Sequence, residues 1–180
     1  MQLSKTLWKH GEISLQTKVR IYKSAIRSVL LYGCETWPMS AADLHKLEVF
    51  DHWCLRMLAK VSLNDQLTNA QVREKCCEIE SIRSLTIRRR LQWFGHVLRR
   101  DRGEVIKESL HCTPCAGWKA RVGGQQKTWV STVKSDLDKL ALHKVYGVRK
   151  WKTDWLDICY DMASCRKAWM ATIRDIIEAD

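Results

Sequence analysis

The stretch IRSLTIRRRLQWFGHVLRRDR, residues 82–102, decides the fold class. It holds seven arginines against one aspartate and so carries +6 of the chain's formal +11. Ile87, Leu91, Phe94 and Leu98 recur at steps of four, three and four, the apolar stripe of an α-helix. On another face, Arg89, Trp93, His96 and Arg100 follow the same kind of step. Such a helix is held by protein along one side and offers cations and an aromatic ring to a polyanion along the other. Gly95 interrupts the pattern at a cost of up to about 1 kcal/mol relative to alanine. It marks either close packing or the helix's effective end.

Outward from this stretch the chain continues to read as helix. Residues 14–32 place Leu15, Val19, Tyr22, Ile26, Val29 and Leu30 at helical steps, with Gly33 as a stop. Ser40 and Asp43 form a capping-box start for a helix running to about Lys60, and Thr68 with Gln71 forms a second. After the basic stretch, residues 128–142, 153–162 and 164–177 carry three further helical patterns. Only Pro38, Pro114 and eight glycines break the chain, so the expected fold class is all-α. The expected organisation is a helical bundle over residues 1–103, a basic Gly-containing linker over 104–126, and a smaller C-terminal helical segment over 127–180.

With 46% hydrophobic residues the chain can bury a core. The net charge of +11 favours a polyanionic partner, nucleic acid before an anionic membrane surface. The charge is uneven: 18 basic and 10 acidic side chains up to residue 103, then 13 and 10 beyond it. No apolar run reaches the roughly 20 residues that span a bilayer, and residues 1–20 lack the apolar core of a secretory signal. The eight cysteines are irregularly spaced, which fits thiols in a reducing compartment rather than a disulfide framework.

Several motifs carry chemistry on their face. The candidate nucleic-acid contacts on the basic helix are Arg88, Arg89, Arg90, Trp93, His96, Arg99 and Arg100. Arginines would pair with phosphates and Trp93 would stack on a base or cover a sugar. A second set, Lys119, Arg121 and Lys127, flanks Gly123-Gly124 in WKARVGGQQKTW, where close backbone approach could build an anion nest. That spacing matches neither a dinucleotide fingerprint nor a P-loop. His111, Cys112 and Cys115 form HCxxC, half of a zinc site whose second half has no nearby candidate, so no metal is expected. Asp154, Asp157 and Asp161 share a helical face and are read as solvated. No catalytic residue is assigned. Trp37, Trp53, Trp129, Trp155 and Trp169 sit beside apolar helical positions and are read as core.

The segments KVRIYKSAIRSVLLYGCETW (18–37), LHKLEVFDHWCLRML (44–58) and RRLQWFGHVLRR (89–100) resemble the C-terminal part of reverse transcriptases from LINE-type, RTE-like non-LTR retrotransposons. GGQQKTW (123–129) and the Ala163, Arg166, Trp169 pattern resemble that family's tail. The resemblance covers nearly the whole chain. YGCETW followed by RRLQWFGHVLRR is its most specific part. It implies a parent RNA-directed DNA polymerase, usually with an endonuclease, acting in the nucleus.

The matched region lies beyond the catalytic palm, in the thumb and connector that grip template and primer. It implies that residues 1–103 form a thumb-like bundle. The palm aspartates of the (F/Y)xDD motif have no matching positions here, nor has an endonuclease site. The chain is therefore expected to bind without catalysing on its own, as a truncated or degenerate copy. No cofactor is expected in it, since the polymerase's Mg2+ belongs to the palm. The implied partners are RNA, an RNA–DNA hybrid or duplex DNA, without a membrane. The alternative from another class is a non-catalytic helical protein-interaction module with a basic docking face.

Overall fold

The computed structural model describes Trp8 and residues 12–101, 103–110 and 128–179. Among them every regular element is helical, as the periodicity requires. The second basic set (Lys119, Arg121, Lys127) and the HCxxC residues lie outside the described residues. The α-helices are α1 (Leu15–Ile21), α2 (Ser28–Leu30), α3 (Ala41–Ala59), α4 (Asn69–Lys75), α5 (Ile82–Leu98) and α6 (Val105–Glu108). They continue with α7 (Trp129–Leu137), α8 (Leu142–Tyr146), α9 (Val148–Thr153), α10 (Trp155–Ser164) and α11 (Arg166–Glu178). No described helix is long and apolar enough to cross a membrane.

The two caps read from the sequence, at Ser40 and Thr68, are formed, and Ser14 adds one at the start of α1. Ser14, Ser40 and Thr68 occupy N-cap positions, and each side chain accepts the N–H three residues on. Each such bond satisfies one of the donors that a helix start leaves unpaired. At Thr68 the Gln71 side chain also bonds back to the cap N–H at 2.8 Å. Gly33 has φ +71° after the 28–30 turn, a left-handed stop that costs glycine little.

The chain packs as two compact units. These follow other lines than the 1–103, 104–126 and 127–180 partition. The first unit comprises residues 1–33 and 40–85; the second comprises 34–39 and 86–180. The boundary falls inside α5 because its stripe from Ile87 onward belongs to the core of the C-terminal helices.

In the first unit, Val19, Tyr22, Cys54, Leu55, Leu58, Val72, Cys76 and Ile79 form the core. Between α1 and α2 the backbone widens into a π-helical segment, Tyr22–Arg27. In an α-helix, side chains five residues apart diverge by about 140°. The wider π turn brings them towards one side. Tyr22 and Arg27 both reach Asp51 of α3: the phenol donates to Oδ1 at 2.6 Å, while Arg27 Nε and Nη2 donate to the two oxygens at 2.8 and 2.6 Å. Arg27 Nη1 donates to the Glu80 carbonyl at 2.7 Å. All three side chains are buried. Burial, reinforced by Asp51, drives the Tyr22 phenol well above its usual range. Burial opposes the Arg27 charge, but the bond and charge of Asp51 keep it firmly protonated.

In the second unit, Ile87, Leu91, Phe94 and Leu98 pack with Val133, Leu137, Trp151, Trp155, Trp169, Ile173 and Ile176. Phe94 is central: Trp155, Trp169 and Trp129 each place a ring centroid 6.0 Å from its own. Such aromatic pairs add about 0.5–1.5 kcal/mol each beyond area burial. The tail reads α7, α10 and α11 at nearly the expected positions. The short α8 and α9, divided by Gly147 at φ +87°, carry too few turns to show a period. Four of the described thiols (Cys34, Cys54, Cys76, Cys159) are buried and two (Cys77, Cys165) are exposed; all are unpaired. Burial pushes Cys159 up to about 12, which keeps it an unreactive thiol.

Candidate nucleic-acid interface

Helix α5 builds the candidate surface. Its apolar stripe is buried as expected, and this sets which way the remaining side chains point. Arg89, Gln92, Trp93 and His96, together with Glu35, border an open cavity of about 390 Å³. Three of the four residues of the row read from helical spacing, Arg89, Trp93 and His96, therefore border one hollow. The imidazole of His96 lies 5.4 Å from the Trp93 ring, tilted by 30°. Arg100 Nε donates to His96 Nε2 at 3.2 Å, so that nitrogen is an acceptor here. Arg100 also pairs at 3.6 Å with Glu104, and both members of that pair are partly exposed. In water such a pair contributes little, and a phosphate can compete for the guanidinium.

Glu35 reaches this surface through a tertiary contact. Residues Cys34–Thr36 form a short 3-10 turn. Its Glu35 carbonyl accepts from Trp129 Nε1 at 2.6 Å, and Cys34 Sγ lies 3.9 Å from Arg89 Nη1. Trp93 also borders a second hollow of about 170 Å³ with Thr36, Val97, Ile106, Leu110 and Trp129. No helical period links residue 35 to residue 89, so the sequence carried no signal for Glu35. Gln92 did have one, standing three after Arg89 and four before His96, on the row itself.

The other predicted contacts are dispersed. Arg88 borders a separate groove with Gln92, Met170, Ile173 and Arg174, where Arg174 adds a cation the sequence reading missed. Arg99 is exposed, and its Nη1 donates to the Ala163 carbonyl at 3.1 Å. Arg90 requires correction. It is 3% exposed and its Nη1 pairs with the Asp136 carboxylate of α7. It stands three residues after Ile87 and four before Phe94, on the apolar stripe itself. A charge there must be compensated internally, so Arg90 is a core residue and no contact. Trp53 is likewise displaced from its expected role. It lies 46% exposed on α3 beside exposed Val49 and Phe50.

Among the described residues no group of three or more His, Cys, Asp or Glu is placed to hold a metal ion. Asp154, Asp157 and Asp161 are exposed, as a solvated row should be. The arrangement around α5 has cations, a flat aromatic and an amide on one open surface.

No protein-family model matches the chain. A transposon-derived protein of Caenorhabditis elegans does. It is 26% identical over 161 residues, which cover 87% of this chain and 54% of that protein. The chain thus spans about half the length of the curated relative it matches. No solved structure matches.

Proposed function

We propose that this chain binds nucleic acid through phosphate contacts as the C-terminal, thumb-like part of a LINE-type non-LTR retrotransposon reverse transcriptase. The observation that carries this reading is α5. Its apolar stripe is locked into the second unit's core, so Arg89, Trp93 and His96 line one open surface, with Arg100 bonded to His96 beside it. The chain's charge of +11 and its similarity to a transposon-derived protein support it. A polymerase thumb slides along whatever is copied, so it must hold the duplex by its backbone rather than read base edges. Arginines on a rigid helix do this. The partner is an RNA–DNA hybrid, RNA or duplex DNA, met in the nucleus, while Mg2+ and the chemistry belong to a palm elsewhere in the parent polymerase. Lys119, Arg121 and Lys127 are proposed as secondary contacts.

The test is the salt dependence of binding to an RNA–DNA hybrid. Each phosphate contact contributes roughly 0.9 to the slope of log K against log salt. The Arg89→Ala/Arg100→Ala pair should weaken binding and flatten that slope by about 2. An unchanged slope would leave the alternative, a protein-interaction module, for which α3 offers exposed Val49, Phe50 and Trp53.

A further inference from the structure

The cavity beside Trp93 differs from a phosphate site in one respect. Beside a single cation, Arg89, it includes Glu35. Among the described residues no hydrogen bond or ion pair engages the Glu35 carboxylate; the turn is held instead by its backbone carbonyl, through Trp129 Nε1 at 2.6 Å. An acceptor-only carboxylate repels phosphate and seeks N–H donors. Trp93 supplies a flat apolar surface, and Gln92 supplies an amide that both donates and accepts. A volume of about 390 Å³ lies within the range of small-ligand clefts, roughly 300–1,000 Å³.

We propose that this cavity takes a single unpaired guanine of a single-stranded nucleic acid, stacked on Trp93 with its donor edge against Glu35. The assignment rests on the nucleic-acid reading above and adds a base preference to it. Two carboxylate oxygens match two adjacent donors, and only guanine presents them, as its ring N1–H and exocyclic amine. Adenine and cytosine place an acceptor beside their amine, which a carboxylate repels. Uracil and thymine flank one N–H with two carbonyls. A base inside a duplex cannot enter, because its faces are stacked and its pairing edge is occupied. Arg89 and Arg100, at the margin of the same surface, are placed for the phosphates on either side of the bound nucleotide. The cavity would thus hold a displaced or terminal nucleotide next to the duplex that the basic row grips.

The experiment measures binding of the full chain to ten-nucleotide RNA strands of adenine and uracil carrying one central variable position. That position is guanine, inosine, adenine or abasic. Guanine should bind roughly tenfold tighter than adenine, since bonds to a charged group are the strong ones. Inosine, which lacks the exocyclic amine, should fall between. The abasic strand should lose about tenfold or more, the scale of one base–aromatic stack. Trp93→Ala should remove the difference between guanine and abasic strands. Because that change could disturb packing, Glu35→Gln is the second variant. It keeps the side chain's size and the backbone bond to Trp129, and should bring the guanine-to-inosine ratio close to one. Equal affinity for all four strands, or a guanine preference that survives Glu35→Gln, would overturn the assignment. An RNA–DNA hybrid is measured alongside. If it still binds with a steep salt slope, only the guanine cavity has failed; if neither hybrid nor single strand binds, the nucleic-acid reading fails with it.

Discussion

Gly95 lies directly under the indole of Trp169. A Cβ added to Gly95 would come within 2.9 Å of three atoms of that ring, while the indole Nε1 donates to the Leu91 carbonyl of the same helix at 2.9 Å. The glycine therefore marks a contact between α5 and α11 at backbone distance, in the middle of a helix that continues to Leu98. The indole satisfies its own donor where burial would otherwise leave it unpaired.

Gly95→Ala should consequently destabilise the protein. Alanine gains up to about 1 kcal/mol in helix propensity. Against this, overpacking a buried ring costs typically 1–3 kcal/mol, and displacing the indole also loses its bond to Leu91. A lowered urea midpoint with unchanged slope is the expected result. A raised midpoint would mean that Trp169 can move aside freely.

Arg90 and Asp136 form a buried pair, 3% and 10% exposed at their side chains. Removing one partner strands a buried charge, at about 3–5 kcal/mol. Arg90→Met or Asp136→Leu alone should each lower the melting temperature sharply. The double substitution should recover most of the loss, because it removes both members of the buried pair together. A double-mutant cycle with no coupling would contradict the pairing.

The arginines of α5 should separate by salt dependence rather than by affinity alone. Arg100→Ala should flatten the slope for a hybrid by about 1, the share of one phosphate contact. Arg90→Met, measured on the folded fraction, should leave the slope as it was, since its guanidinium is enclosed. If both changes flatten it equally, the distinction drawn from burial is wrong.

Tyr22 gives a pH signature. Its folded-state value is raised above the usual 10.0, first by burial and then by the Asp51 carboxylate. A raised value means that the folded state holds the proton more tightly. The stabilisation is therefore fully present below pH 10 and declines as pH rises beyond it. Tyr22→Phe should lose the bond to Asp51, about 1.5–3 kcal/mol for a bond to a charged group, at neutral pH. The gap between variant and parent should then narrow above pH 10. Chemical denaturation at several alkaline values would reveal it. A gap that stays constant with pH would place the phenol elsewhere than against Asp51.

Local order was legible in the chain because helices obey local rules. Ser40, Thr68 and Ser14 announce helix starts through bonds made within three residues. The stripe Ile87, Leu91, Phe94, Leu98 announces a buried face through a period of 3.6. The all-α class and the buried face of α5 follow from these alone, as does the row Arg89, Trp93, His96, Arg100. The fate of each cation on that helix was another matter. Arg90 became a core residue because Asp136, on another helix, stands where its guanidinium arrives. Glu35 joined the cavity because Trp129 holds its backbone carbonyl. The widened turn between Tyr22 and Arg27 brings both side chains to a carboxylate on α3 that no local pattern names. Periodicity reports which face of a helix is buried. Which charge meets a partner inside, and which is left to meet a ligand, is decided by residues far apart in the chain, whose approach only the folded structure settles.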